Sequence, residues 1–171
     1  DQEYDYPPEV KYVINEECFK EYSDAADYIN ENADICILQH EFNIFGGDNG
    51  IYILSMLHKL KVPLITTLHT ILKKPTTGQN YVIKEISKLS QKITVLSQVA
   101  ADILSSTFKV PKEKISMIRH GVPDIRLDSD ESKDKLDLAG KNVLLTFGLI
   151  NRNKGIETVL RALPDVIERF P

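Results

Sequence analysis

Short β-rich runs recur along the chain at residues 10–14 (VKYVI), 35–39 (ICILQ), 63–67 (PLITT), 92–96 (KITVL), 115–118 (ISMI) and 142–147 (NVLLTF). Most are continuous apolar runs without strict alternation, the pattern of strands buried on both faces of a parallel sheet. Between them the apolar residues shift to helical spacing. Residues 22–32 form one such stretch, with Ser23 as a nearby N-cap, and Ile53, Leu54, Leu57 and Leu60 mark a second. Val82, Ile86 and Leu89 mark a third, and Val99, Ile103 and Leu104 a fourth, opened by Ser97 as N-cap. Ile156, Val159, Leu160, Leu163 and Ile167 mark a fifth, which Pro164 is expected to kink or restart. The recurrence is close to the ~30 residues of one βαβ unit. It predicts an α/β protein built on a doubly wound parallel sheet.

The last connection breaks the rhythm. After Ile118 comes RHGVPDIRLDSDESKDKLDLAGK, polar and rich in Asp and Lys, with one short helical stretch near 133–138. It reads as a linker. The predicted organisation is a first domain over 1–120, a linker over 121–140, and the first strand and helix of a second domain over 141–171. That unit starts near the end of the sequence, so the second domain is expected to be truncated. The opening DQEYDYPPEV lacks an initiating Met, and the natural start is expected to be missing as well.

Composition narrows the classes. The 171 residues are 42% hydrophobic and 27% charged with a formal net charge of −4, an ordinary globular balance without the broad positive field of a nucleic-acid binder. The two cysteines, Cys18 and Cys36, have no C-x-x-C spacing, which argues against a disulfide framework or a thiolate zinc site and fits a cytoplasmic setting. No apolar window approaches the ~18 residues of a membrane span, so contact with a membrane would be peripheral. Oligomeric state is not legible.

Candidate chemistry collects after the strands. In open parallel sheets ligands bind beyond the carboxyl ends of the strands, where loops and helix N-termini converge. Three of the four histidines, His40, His69 and His120, follow predicted strands, and His58 falls on a predicted helix. His40, Glu41, His69 and His120 could converge as the metal site of a hydrolase, although H-x-H and H-E-x-x-H motifs are missing. The dinucleotide fingerprint G-x-G-x-x-G is also missing. Arg152 and Lys154 form a cationic loop before the last helix, suited to an anionic group at a helix N-terminus.

TLHT after a buried strand, HGVPD at a domain junction and FGLINRNKG opening a second α/β unit resemble, in this order and spacing, the retaining GT-B glycosyltransferases of the GT4 family. The resemblance runs from about residue 35 to 171, and QHEFNIFGGDNG resembles one bacterial and archaeal branch of that family. It implies two facing Rossmann-like domains, the N-terminal one mainly for the acceptor and the C-terminal one mainly for a sugar nucleotide. The implied activity is metal-independent transfer of a sugar from a nucleoside diphosphate donor to an acceptor hydroxyl with retention, needing no cofactor. The 171 residues alone are expected to be inactive or nearly so, because donor orientation needs both walls of the cleft.

The resemblance carries roles onto particular positions. His69 matches the histidine that points toward the transferred sugar and donor phosphates. Gly148, Lys154 and Gly155 match the donor-phosphate loop, where fixed cations and amide groups stabilise the departing diphosphate. The family's usual arginine position holds Leu149 instead, and Arg152 would substitute from another angle. His120 and Gly121 line the base of the cleft, ahead of Asp124. His40, Glu41, Gly46 and Gly47 are the acceptor-side candidates: Glu41 can accept from hydroxyls, and the glycine pair can let a sugar approach the main chain. Phe42 and Phe45 read as packing residues and Ser97 as a helix cap. Two rivals on the same fold stay open, a non-catalytic sugar-nucleotide or partner-binding module and a nucleotide-sugar epimerase.

Overall fold

The computed structural model describes residues 5–148, 150 and 152–170. They divide into two compact units, one ending at Val122 and the other beginning at Pro123. The first runs α1 (Phe19–Asn32), β1 (Cys36–His40), α2 (Ile53–Lys59), β2 (Leu64–Leu68), α3 (Thr77–Leu89), β3 (Lys92–Val95), α4 (Gln98–Ser106) and β4 (Ile115–Met117). All three strand pairs are parallel and the sheet order is β1-β2-β3-β4. The architecture is the expected α/β parallel sheet, here as a single wing that advances strand by strand.

That order decides how the sheet is covered. Crossovers of the usual right hand that always step the same way lay their helices on one face. Accordingly Cys36, Leu38 and His40 of β1 are buried while Ile37 between them is 62% exposed. β2 repeats the alternation with Leu64, Thr66 and Leu68 buried and Ile65 and Thr67 half-buried. The expectation of strands buried on both faces therefore fails among the described residues. Their apolar runs instead divide into a packed face and an open one.

The packed face is closed by Ile53, Val82, Ile83, Ile86, Ile93, Val95 and Leu104, each essentially without solvent contact. Burying one such side chain contributes about 1.5–3 kcal/mol. Ala25 and Ala26 lie on the buried side of α1, where small side chains let it approach α2 closely. Thr66 and Ser90, both buried, share a 2.8 Å hydroxyl–hydroxyl bond, and Ser90 Oγ also donates to the Ile86 carbonyl at 2.7 Å. Thr76 and Gln79 close a capping box at the start of α3, and Ser97 caps α4 by accepting from the Ala100 amide.

Several local expectations are corrected. Residues 10–14 form no strand, because no sheet edge receives them; Tyr12 instead rests against Tyr28 with ring centroids 5.6 Å apart, and Ile14 packs on the margin of the core. Ser23 is not an N-cap. It lies inside α1, which starts at Phe19, and its carbonyl and hydroxyl both accept from Lys59 Nζ.

In the second unit, α5 (Ser129–Lys135) begins earlier than expected because the Asp128 carboxylate accepts from the Asp130 and Glu131 amides at 2.8 and 3.0 Å. Those same bonds hold the Asp128 carboxyl below its ordinary range. The helix α6 (Ile156–Arg169) continues through Pro164 and does not restart there. Residues 142–147 are not a strand, since no neighbouring strand among the described residues completes a ladder. Asn142 and Leu144 instead line an apolar groove of about 530 Å³ with Leu163, Val166, Ile167 and Phe170 of α6 and its end. Among the described residues no helix is long and apolar enough to cross a membrane.

One packing contact ties the leading segment to the sheet. Tyr22, buried in α1, donates its hydroxyl to the Glu16 carbonyl at 3.1 Å and accepts from the Gly46 amide at 2.8 Å. A Cβ at Gly46 would fall 1.8 Å from the Glu16 carbonyl oxygen. Gly46→Ala is therefore expected to lower unfolding stability by about 3 kcal/mol, while Tyr22→Phe, which removes only the hydroxyl, costs about 1–2 kcal/mol. Urea titration of both variants checks the order.

Candidate functional site

The parallel register brings the carboxyl ends of β1 to β4 to one edge. Cys36 pairs with Leu64 and His40 with Leu68, Leu68 in turn with Val95, and Val95 with Met117. The residues that follow each strand therefore emerge side by side: Glu41, His69, Leu96 and Ile118. A ladder bond continues past the strand end, with the His69 amide donating to the His40 carbonyl at 3.2 Å. Thr70 Oγ1 donates to Glu41 Oε2 at 2.7 Å and ties the two loops together.

Strand alternation then sorts the histidines. His69 is exposed, and its Nε2 lies 2.8 Å from Gln39 Oε1. The His69 and His120 rings stand 6.1 Å apart at 49°. His120 and Gly121 are exposed, and nothing lies within 4 Å of where a Gly121 Cβ would be. His69, His120, Gly121, Gln39, Glu41 and Thr70 thus form one accessible patch at the strand ends, and the sheet brings together residues up to 82 positions apart (39 to 121).

His40 is different. It faces the helix-covered side with no solvent exposure, its ring edge-on to Phe42 at 5.1 Å and stacked on Phe45 at 5.8 Å. Neither ring nitrogen has a hydrogen-bond partner among the described residues. Desolvation, and secondarily the nearby His69, push its pKa down from 6.5 to about 4, so it is neutral at pH 7. His40 does not present its ring to an acceptor as the sequence reading expected; it packs beneath the patch. Gly46 is likewise withdrawn, buried with its amide already given to Tyr22. Gly47 remains at the surface with φ 74°, against the Tyr52 ring.

The cationic loop belongs to the second unit. Arg152 and Lys154 are both exposed in a 3-10 turn, Gly155 caps α6 with φ 63°, and Gly148 has φ 102°. Lys154 Nζ lies 3.9 Å from the position a Gly148 Cβ would take, so the ammonium reaches back over that glycine. Gly148 and Lys154 are therefore neighbours, with Gly155 next in the chain, while Leu149 lies outside the described residues. Asp124 is exposed at the start of this unit.

Among the described residues no three His, Cys, Asp or Glu side chains come together as a cation site. The hydrolase reading needed His40, Glu41, His69 and His120 to converge, and the opposite facing of His40 prevents it. Gln39 and Thr70 were passed over in the sequence, though the period of two in any strand is enough to set Gln39 on the side opposite His40.

A family model for glycosyltransferase family 4 matches residues 29–126, more than half of the chain. It runs from the last turn of α1 past β4 and includes the whole strand-end patch. No curated protein matches the chain.

The buried imidazole sets a pH dependence. Its folded-state pKa lies below the ordinary value, so the unfolded chain binds the extra proton first. The contribution of His40 to stability is complete above about pH 6.5 and is lost as pH falls toward 4, an effect on the order of 3 kcal/mol across the window. His40→Leu should be neutral or stabilising at pH 7 and should flatten this part of the stability profile. Urea midpoints for both proteins measured across the window test it.

Proposed function

Because the chain belongs to glycosyltransferase family 4, we propose that it transfers a sugar from a nucleoside diphosphate donor to an acceptor hydroxyl with retention and without a metal. The observation that carries this reading is the accessible pair His69 and His120, 6.1 Å apart at the strand ends beside Glu41. An exposed imidazole there can exchange hydrogen bonds with sugar hydroxyls or a donor phosphate at neutral pH. Glu41, held by Thr70, offers a fixed carboxylate oxygen to acceptor hydroxyls, and Gly47 sits exposed at the surface of the same loop.

In the second unit, Lys154 and the N-terminus of α6 at Gly155 suit the diphosphate. As the glycosidic bond breaks, the leaving nucleotide gains negative charge, and a fixed ammonium with oriented amide groups lowers that barrier. Arg152 is the second cation of the loop and takes the place of the arginine that Leu149 displaces. No carboxylate pair is required, because in front-face transfer the departing phosphate itself takes the acceptor proton. The setting we propose is cytoplasmic.

Screening the intact protein against a panel of sugar nucleotides, scoring both transfer and hydrolysis, tests this. His69→Ala and Lys154→Ala should each reduce transfer by about 10²–10³-fold with unchanged melting temperatures, since both side chains are exposed. Activity that disappears with a chelator, or that survives both substitutions, would overturn the proposal.

A further inference from the structure

Gln39 is the partner that the exposed His69 ring has in this structure. Gln39 on β1 pairs with Thr67 on β2, and both point to the open face of the sheet, away from the helices. His69 lies two residues beyond Thr67, and the period of two returns its side chain to the same face. Diagonal neighbours on adjacent strands are within reach of long side chains. The result is the 2.8 Å contact between Gln39 Oε1 and His69 Nε2, next to the 3.2 Å bond from the His69 amide to the His40 carbonyl. Backbone and ring are thus fixed at two points to the same strand.

We infer that Gln39 is a positioning residue that holds His69 as the Nε2–H tautomer and leaves Nδ1 as a bare acceptor for a substrate hydroxyl. The chemistry follows from the partner atom. An amide oxygen can only accept, so the ring nitrogen facing it carries the hydrogen, and a neutral imidazole then has its lone pair on the other nitrogen. Nδ1 makes no hydrogen bond among the described residues, and the ring is exposed. The nearby groups make no bond to it: Glu41 Oε2 accepts from Thr70, His40 is enclosed on the other side of the sheet, and the His120 ring is a 6.1 Å tilted neighbour. A ring locked this way receives a hydrogen bond from a sugar or acceptor hydroxyl and does not donate one through Nδ1. The role in transfer rests on the glycosyltransferase reading above; the tautomer does not.

Long-range 1H–15N correlation spectra of the 171-residue chain at pH 8, with the His69 signals assigned by their loss in His69→Gln, read the tautomer directly. The expected wild-type pattern has a protonated Nε2 and a pyridine-type Nδ1. Gln39→Leu should move both nitrogens to averaged shifts, and Gln39→Glu, which keeps an acceptor oxygen at the same reach, should restore the fixed pattern. A wild-type ring with the proton on Nδ1, or shifts that Gln39→Leu leaves unchanged, overturns the inference whatever the activity. Circular dichroism checks that both variants fold, as expected for a side chain on the open face. In transfer assays of the intact protein, Gln39→Leu should lower kcat by about tenfold with little change in KM, and Gln39→Glu should recover most of it. If the spectra change as expected while transfer is untouched, Gln39 still fixes the ring but the catalytic role of His69 fails.

Discussion

The parallel pairing of β1 with β2 is the constraint on which the rest of the first unit depends. Its register sets His40 beside Leu68, and from that one alignment follow the backbone bond from His69 to His40, the meeting of Gln39 with His69 and that of Glu41 with Thr70. A slip of one residue would exchange the two faces of the strand. His40 would then sit in the open and Gln39 against the helices. The buried Cys36 and Leu38, exchanged for Ile35 and Ile37, guard against such a slip only weakly because all four are apolar. The polar ends of the strand, Gln39 and His40, and the fit of the Tyr22, Gly46 and Glu16 contact add the missing specificity.

The same register separates two histidines of adjacent strands into different chemistries. Water reaches His69, so its ring can meet a ligand; His40 is enclosed by Phe42 and Phe45 and stays neutral with both nitrogens unpaired. A buried polar group without a partner is costly. Its position directly under the loop that carries Glu41 links the packing of the core to the placement of the patch, since the turn at 41–50 folds over that ring.

The second unit shows which elements can form from local information. A helix satisfies its own backbone groups, so α6 is complete, with Gly155 at its start. A strand needs a neighbour, and residues 142–147 have none among the described residues, which leaves Leu144 and Leu145 exposed. Lys154 nevertheless lies over Gly148, and Gly148 and Gly155 both take backbone conformations in the left-handed half of the map.

By itself the sequence determined the α/β class, strands β1 to β4 and the cap at Ser97, all of which depend on residues close together in the chain. It also carried the family, through short motifs whose order survives without any knowledge of their contacts. Only the tertiary structure decided that the sheet has one open face, that residues 10–14 lie along α1 and add no strand, and that His40 and Gly46 are enclosed while His69 and His120 meet. The physical reason is that burial and pairing are properties of two distant segments at once. A run such as ICILQ reads alike whether one face or both are covered, and nothing within a strand states which neighbour its last residue will touch.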